Sequence, residues 1–372
     1  MGVAIRADLA SVPDYNIPST APDAILLNSN EGPLPPPPAV VEAVARAAVE
    51  GHRYPQWFSD TLVGRLADDL AVPAEGIAVG CGSVSLCRDL IQAFCAPGDE
   101  VLFAWRSFDA YPVFARVAGV RARTVPLDAG HRHDLEAMLA VVTPATRVVF
   151  VCNPNNPTGT AVRGSELHAF LDRLPARVLV VLDEAYREFV DDPDVPDGIA
   201  LARHRPNVAV LRTFSKAYGL AGVRIGYCVA APAVVSAVHK VSVPFAVSRL
   251  AQAAALAALD RPEEVRARSV AIVRERRRLE SLLARNGHEV TPSQANFVWL
   301  PLGEEAAGFA DSCARHGVLV RAFPGDGVRV TVGLPEENDA FLRAADRYRA
   351  TALRPQAVSM PGDSPVHWRE SR

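Results

Sequence analysis

The sequence lacks a long basic run, a bilayer-length apolar stretch and any Cys-x-x-Cys spacing. Lys and Arg number 39 against 42 Asp and Glu, a net charge of −3, so the electrostatic pattern of a nucleic-acid-binding protein is missing. The N-terminal residues also lack the regions of a signal peptide, which predicts a cytoplasmic location. Six cysteines are scattered through apolar segments, which indicates reduced core residues and no metal site.

The length and composition predict a globular protein of two domains. A chain of 372 residues with 49% hydrophobic residues is too long for one comfortable core and has ample apolar surface to bury. We expect residues 1–50 to form an N-terminal arm that contributes to the smaller domain, and residues 51–260 to form the larger one. Residues 261–353 would form the smaller domain, and the tail at 354–372, with little apolar pattern, is predicted to be disordered.

Short apolar runs alternate with helical patterns between about residues 76 and 230. Most of these runs lack polar alternation, which is typical of strands covered by helices on both faces. The fold class is therefore α/β with a mostly parallel central sheet. The predicted strands are 76–80, 100–104, 147–152, 177–183, 207–211 and 224–229.

The pattern changes after Asp260, where a long charged helix begins at Pro262 and runs to about Gly287. Beyond it the mixture of strands and helices is typical of a compact α+β domain. We expect the helix that follows the proline-rich stretch at 33–38 to join this domain or to contact a partner. The predicted elements are strands at 296–300, 318–321 and 328–332, with helices at 304–316 and from Pro335.

Two loop motifs follow predicted strands in the first half of the chain. The glycine-rich turn Gly80–Ser85 joins a strand to a helix, so its backbone N–H groups and the helix dipole could hold a phosphate group. Such a turn on its own is more often a plain strand-to-helix connection. The second motif, Asn153–Thr160, has two prolines around paired asparagines, which fix a turn that could direct an Asn side chain at a ligand.

Two further motifs follow the next strands. The segment Leu182–Tyr186 (LDEAY) places two carboxylates at the end of a strongly apolar strand, where open α/β sheets bind ligands. An isolated Asp there is usually a helix cap. The segment Thr213–Arg224 contains Lys216 between aromatic residues, and burial would lower its pKa toward the range of a nucleophile. Arg224 offers a planar fork of donors suited to a phosphate.

Together these motifs resemble the fold-type I aminotransferases that depend on pyridoxal 5′-phosphate (PLP), and specifically their histidinol-phosphate and aromatic branch. The resemblance extends from about Leu27 to Arg349. It implies that the lysine of the Ser-Lys motif, Lys216, binds PLP as a Schiff base, and that Asp183 pairs with the pyridine nitrogen. Asn156 and Tyr186 would hydrogen-bond the ring hydroxyl.

The resemblance also assigns the remaining cofactor and substrate contacts. The backbone at Gly82, Ser83 and Val84 would hold the phosphate, together with the residues Thr213, Ser215 and Arg224. Tyr54 resembles a tyrosine that reaches the partner subunit's phosphate, which implies a homodimer with shared sites. Arg329 matches the arginine that grips the acidic end of the substrate, and Asn30 lies in a segment that closes over it.

The sequence departs from the family pattern in two places. Val84 and Ser85 replace an Asp-Glu pair, and Trp105–Phe108 replaces a Pro-Thr-Tyr segment, so the ring stacked on PLP would be Phe108. These segments and Val318–Arg329 are most similar to the actinobacterial phenylalanine or aromatic amino-acid aminotransferases.

The resemblance implies ping-pong transfer between a phenylalanine-like amino acid and a 2-oxo acid such as 2-oxoglutarate, in amino-acid biosynthesis. The first alternative is histidinol-phosphate aminotransfer. Because PLP leaves the choice of cleaved bond to substrate orientation, decarboxylation or elimination is another class of reaction open to this site. A non-catalytic PLP-binding regulator is disfavoured because no DNA-binding domain is attached.

Overall fold

The computed structural model describes residues 3, 5–7, 9–10 and 23–352, so the predicted tail at 354–372 lies outside the described residues. Two sheets organise the described chain, one of seven strands and one of four. The strands are β1 (Ile25–Leu27), β2 (Ile77–Gly80), β3 (Glu100–Trp105), β4 (Arg121–Pro126), β5 (Thr146–Cys152), β6 (Leu179–Asp183), β7 (Val208–Thr213), β8 (Gly226–Val229), β9 (Phe297–Leu300), β10 (Val318–Phe323) and β11 (Gly327–Thr331).

The helices cover both sheets. None of those in the described residues is long and apolar enough to cross a membrane. They are α1 (Pro38–Ala48), α2 (Asp60–Leu70), α3 (Ser83–Phe94), α4 (Ala110–Val117), α5 (Leu135–Ala140), α6 (Gly164–Arg173), α7 (Gly198–Ala202), α8 (Pro232–Val241), α9 (Arg249–Leu259), α10 (Pro262–Arg285), α11 (Ala306–Arg315) and α12 (Pro335–Ala352).

The larger sheet has the strand order β2-β8-β7-β6-β5-β3-β4. All neighbouring strands are parallel except β8, which is antiparallel to both β2 and β7. The mostly parallel α/β sheet is thereby confirmed. Helices cover both faces: Val149 and Val151 of β5 belong to one apolar core, whereas Val148 and Phe150 belong to the core on the opposite face.

The smaller sheet has the order β1-β10-β11-β9. Its core includes Phe309 of α11 and Phe341 of α12, and also Leu279 and Leu283 from the second half of α10. The long charged helix predicted after Asp260 therefore packs its C-terminal half against this sheet. The N-terminal segment contributes β1, which runs parallel to β10.

Helix α1 does not join the smaller sheet, so of the two expected outcomes only the contact with a partner stays a prediction. We expected the helix after the proline-rich stretch to join the smaller domain or to contact a partner. Instead α1 packs on α9, and its Val40 is buried in a core of the larger sheet. The apolar face of α1 therefore belongs to the larger sheet, while β1, which ends 11 residues before α1 begins, belongs to the smaller one. The domain boundaries at 50/51 and 260/261 stay predictions.

Candidate active site

The four sequence motifs meet at one edge of the larger sheet. Asp183 is the last residue of β6 and Thr213 is the last residue of β7, while the asparagine-rich loop follows β5 and the glycine-rich turn follows β2. These strands run in the same direction, so their carboxyl ends share an edge, which is where α/β sheets bind ligands. The fold thus brings together segments that are more than 130 residues apart in the sequence.

Lys216 lies on the loop that follows β7, and its side chain is largely enclosed. Its Nζ donates a hydrogen bond to the carbonyl of Ser29 at 3.1 Å and lies 5.9 Å from the ring centroid of Tyr186. Burial, together with the positive charges of Arg329 and Arg224, lowers the pKa of Lys216 to about 7, although Glu31 opposes this shift. An amine with this pKa is substantially neutral, and therefore nucleophilic, near pH 7.

Asp183 is buried, with 4% of its surface exposed. Its Oδ2 accepts a 2.7 Å hydrogen bond from the hydroxyl of Tyr111, whereas its buried Oδ1 has no partner among the described residues. Burial raises the pKa of Asp183 to about 6, although the hydrogen bond from Tyr111 opposes this shift. An orphaned carboxylate oxygen in a buried site is costly unless it meets a cationic or hydrogen-bonding partner.

A buried hydrogen-bond network connects the two sheets around Tyr186. The side-chain amide of Asn30 donates to the Tyr186 hydroxyl oxygen at 3.0 Å, which leaves that hydroxyl free to donate its own proton. The backbone N–H of Asn30 donates to Thr331 Oγ1 at 2.9 Å, and Thr331 lies in β11 of the smaller sheet. Asn30 is 1% exposed, so this part of the N-terminal segment is fixed in the site.

Arg329 extends from β11 toward the larger sheet. One of its terminal nitrogens donates to Asn156 Oδ1 at 2.6 Å, and the other donates to the carbonyl of Asn28 at 2.6 Å. The guanidinium lies 5.6 Å from the ring centroid of Phe297 and 5.8 Å from that of Phe323. Two planar donors beside apolar rings are suited to gripping a carboxylate with an aromatic group nearby.

The glycine-rich turn and Arg224 form a cradle of donors. Gly82 has φ +73° at the start of α3, and a Cβ there would lie 2.6 Å from a terminal nitrogen of Arg224. Glycine is therefore required for this close approach. Arg224 also donates to Ser215 Oγ at 3.3 Å, and Thr213 Oγ1 donates to the same oxygen at 3.0 Å. No side chain caps the N-terminus of α3, so the amides of Ser83 and its neighbour can bind an anion.

Three other predicted residues lie at different distances from this cluster. Phe108 contacts Tyr111 edge to face, with ring centroids 5.5 Å apart. Tyr111 in turn hydrogen-bonds Asp183, so Phe108 is connected to Asp183 through Tyr111. Val84 is in the first turn of α3, beside Gly82. Tyr54 lies apart from the cluster: it is 78% exposed and stacks on Phe245.

Tyr111 and Thr331 were not among the residues predicted from the sequence. Thr331 follows Arg329 by two residues in a strand, so its position on the same face could have been inferred from the period of two. Tyr111 follows Phe108 by three residues at the start of a helix, and the i, i+3 spacing was the available signal. Neither spacing, however, indicates the partner that each hydroxyl contacts.

The residues at this edge fit PLP. Its aldehyde needs a neutral amine, its phosphate needs several donors, and its pyridine nitrogen needs a carboxylate. The buried amine of Lys216, the donor cradle around Arg224 and the unpartnered Oδ1 of Asp183 have these three properties.

Comparison with known proteins yields consistent similarities. Residues 22–344 match the family model described as aminotransferase class I and II. The chain is 53% identical over 348 residues to an aromatic amino acid aminotransferase from Nocardia farcinica, covering 93% of this chain and 97% of that protein. It is 55% identical over 353 residues to an aromatic amino acid aminotransferase from Rhodococcus jostii, covering 95% of this chain and 98% of that protein.

The fold is also similar to a solved structure. The histidinol-phosphate aminotransferase from Sinorhizobium meliloti, in complex with pyridoxal-5′-phosphate, matches with a TM-score of 0.82 at 31% sequence identity. The match covers 88% of this chain and 92% of that chain. All four motifs at the sheet edge fall within the residues matched by the family model.

Proposed function

This chain belongs to the class I and II aminotransferases, and from that premise we propose that it transfers the amino group of an aromatic amino acid to a 2-oxo acid such as 2-oxoglutarate. PLP is the cofactor. The aromatic substrate is supported by the names of the Nocardia and Rhodococcus relatives, at 53% and 55% identity. The observation that carries the proposal is the largely enclosed amine of Lys216, whose pKa is lowered to about 7 in a site shared with Asp183 and Arg329.

Lys216 and Asp183 have separate tasks in this proposal. Bound PLP supplies an electron sink for the carbanion that forms when the substrate loses its Cα proton. Lys216 Nζ would hold the cofactor before the substrate arrives, then accept the Cα proton and deliver it to the cofactor carbon that carried the aldehyde; the reverse half-reaction would run these two transfers in the opposite order. Asp183 Oδ1 keeps a proton on the pyridine nitrogen, since a buried carboxylate is strongly stabilised by a cation.

The surrounding residues bind and orient the cofactor and the substrate. The hydroxyl of Tyr186 and the side chain of Asn156 would hydrogen-bond the ring hydroxyl of PLP, and the ring of Phe108 would stack on the pyridine ring. The phosphate would be held by Gly82, Ser83, Val84, Thr213, Ser215 and Arg224. Asn30, bonded to Tyr186, closes the substrate side of the site.

We also propose a homodimer in which Tyr54 reaches the partner subunit's phosphate. The exposed aromatic surface around this residue supports the proposal, because contiguous exposed apolar patches mark interfaces. Tyr54 stacks on Phe245, whose ring also contacts Trp57, and Trp57 is 54% exposed. The cytoplasmic location stays a prediction.

Steady-state assays of phenylalanine, tyrosine and histidinol phosphate with 2-oxoglutarate test the substrate. We expect kcat/KM for phenylalanine to exceed that for histidinol phosphate. The second candidate function, histidinol-phosphate aminotransfer, is favoured by the similarity to the Sinorhizobium structure. A higher kcat/KM for histidinol phosphate would establish that alternative. Analysis of the products for carbon dioxide or an eliminated group checks for decarboxylation and elimination.

Arg329→Lys should weaken the binding of both the amino acid and the oxo acid. Lysine cannot reproduce the two parallel donors of a guanidinium, and a lost charge-assisted pair costs about 1.5–3 kcal/mol, or roughly 10- to 150-fold in KM. Phenylalanine and 2-oxoglutarate should be affected alike because both present a carboxylate to this residue. The absorbance of the bound cofactor without substrate should not change.

The matched control is Arg343→Lys, an exposed position on α12. We expect its KM values to equal those of the wild type. A disturbed cofactor spectrum in Arg329→Lys would mean that Arg329 serves the cofactor or the fold, and the assignment of Arg329 to substrate binding would then be wrong.

A further inference from the structure

Three arginines surround one buried aromatic ring beside the active site. The guanidinium carbons of Arg106, Arg321 and Arg329 lie 5.6, 5.7 and 5.8 Å from the ring centroid of Phe323. Arg321 and Arg329 are register partners across the β10–β11 pair, so their side chains emerge from the same face of the smaller sheet. Arg106 approaches the same ring from the loop after β3 of the larger sheet.

Two of these arginines, Arg106 and Arg321, pair with aspartates of the protein, whereas Arg329 is the one assigned to the substrate carboxylate. Asp326 accepts a 2.8 Å hydrogen bond from Arg106 Nε. Asp109 lies between Arg106 and Arg321, with N–O distances of 3.7 and 3.6 Å. Within the described part of the chain, Asp109 is the only carboxylate within ion-pair distance of Arg321. The charges of these two arginines and two aspartates cancel.

This four-residue charge cluster lies at the substrate side of the proposed site. Asp109 directly follows Phe108, the ring assigned to the cofactor, and Arg321 is opposite Arg329, the residue assigned to the substrate carboxylate. All four members are partly exposed, with side-chain exposures from 23% to 40%. A group on the far end of a bound substrate would therefore lie close to the cluster, where solvent only partly screens the charges.

We propose that Asp109 is a specificity residue that disfavours substrates with a phosphate ester and thereby favours an uncharged aromatic side chain. This inference rests on the proposed function. A phosphate ester carries a charge of about −1.5 to −2 near pH 7 and would have to displace Asp109 from Arg321 and then remain close to its carboxylate. An uncharged ring meets no such repulsion and can pack against the guanidinium planes.

Asp109→Asn tests the proposal because it removes the charge while keeping the shape. The N-terminus of α4 should be retained, since Asp109 makes no side-chain cap hydrogen bond there and Asn is an equally good N-cap residue. In the PLP-loaded enzyme at constant ionic strength, we expect kcat/KM for histidinol phosphate to rise about tenfold or more. The value for phenylalanine should change by less than about threefold, because the phenyl ring is uncharged.

Two more variants isolate the cause. Adding Arg321→Gln to Asp109→Asn should abolish the gain, because the released guanidinium is what would bind the phosphate. Asp311→Asn, an exposed substitution on α11, should change kcat/KM for neither substrate. Inorganic phosphate provides an independent readout: its inhibition constant against phenylalanine turnover should fall about tenfold in Asp109→Asn and return in the double variant.

The outcomes separate this inference from the proposed function. A ratio of the two kcat/KM values that is unchanged in Asp109→Asn, or that falls, would overturn the role of Asp109 whatever the wild type prefers. A wild-type preference for histidinol phosphate would instead overturn the aromatic substrate. Equal losses for both substrates with a lowered melting temperature would mean that Asp109 only stabilises the fold, which also overturns the proposal.

Discussion

Lys216→Ala is expected to reduce kcat for amino-group transfer by at least about 10⁴-fold, because one substitution removes both the covalent attachment of the cofactor and the group that moves the Cα proton. The wild-type protein should be yellow and should become irreversibly labelled when borohydride reduces the Schiff base. The alanine variant should retain PLP only by its phosphate and ring contacts, and borohydride should leave it unlabelled. Absorbance, peptide mapping and steady-state rates measure these three effects.

The chain offers an unusually clean control, since Lys240 is its only other lysine. Lys240 is exposed in the last turn of α8, whereas the side chain of Lys216 is largely enclosed. Lys240→Ala should therefore keep full activity and the full label. A reduced adduct on Lys240 in the wild-type protein would overturn the assignment of the attachment site.

The pKa of Lys216 also predicts the pH dependence of cofactor uptake. Burial lowers this pKa to about 7, so the amine is mostly protonated at pH 6 and mostly neutral at pH 8. Only the neutral amine attacks an aldehyde, and hence the rate of PLP uptake by the apoprotein should rise between these values and level off above them. A rate that falls over this range would contradict a lysine nucleophile with a lowered pKa.

The sequence was sufficient to predict the larger sheet because most of its strands are covered on both faces. Such strands are continuous apolar runs, and all six predicted ones are present. Strand β4 was missed because it is an edge strand, in which only Val125 is buried. Strand β1 was missed because it is three residues long and is fixed by pairing with β10, more than 290 residues later.

The motifs of the site could be predicted from the sequence, but the contacts between distant side chains could not. Each motif follows a strand, and the rule that carboxyl ends of parallel strands share an edge placed Asp183 and Lys216 together. The distant partners have no comparable signal. The hydrogen bond from Tyr111 to Asp183 and the position of Asp109 between two arginines depend on how α4 approaches both sheets, which local patterns do not specify.

Asp183→Asn should leave PLP binding within about tenfold of the wild type while slowing the chemical step by about 10³-fold or more. The phosphate cradle and Lys216 provide most of the affinity, and asparagine fits the space of aspartate. Asparagine has no charge, however, and cannot keep the pyridine nitrogen protonated. Asp183 is suited to this task because burial raises its pKa only to about 6, so that it is ionised at the pH of the assay, near 8.

Single-turnover rates with phenylalanine, together with titration of the apoprotein with PLP, measure the two effects of Asp183→Asn separately. The matched control is Asp194→Asn, because Asp194 is an exposed aspartate between β6 and α7. This variant should behave as the wild type. A cofactor analogue methylated on the pyridine nitrogen carries a fixed positive charge and should restore part of the lost rate, because its charge no longer depends on Asp183. If Asp183→Asn turned over near the wild-type rate, the carboxylate would not be the residue that maintains the electron sink.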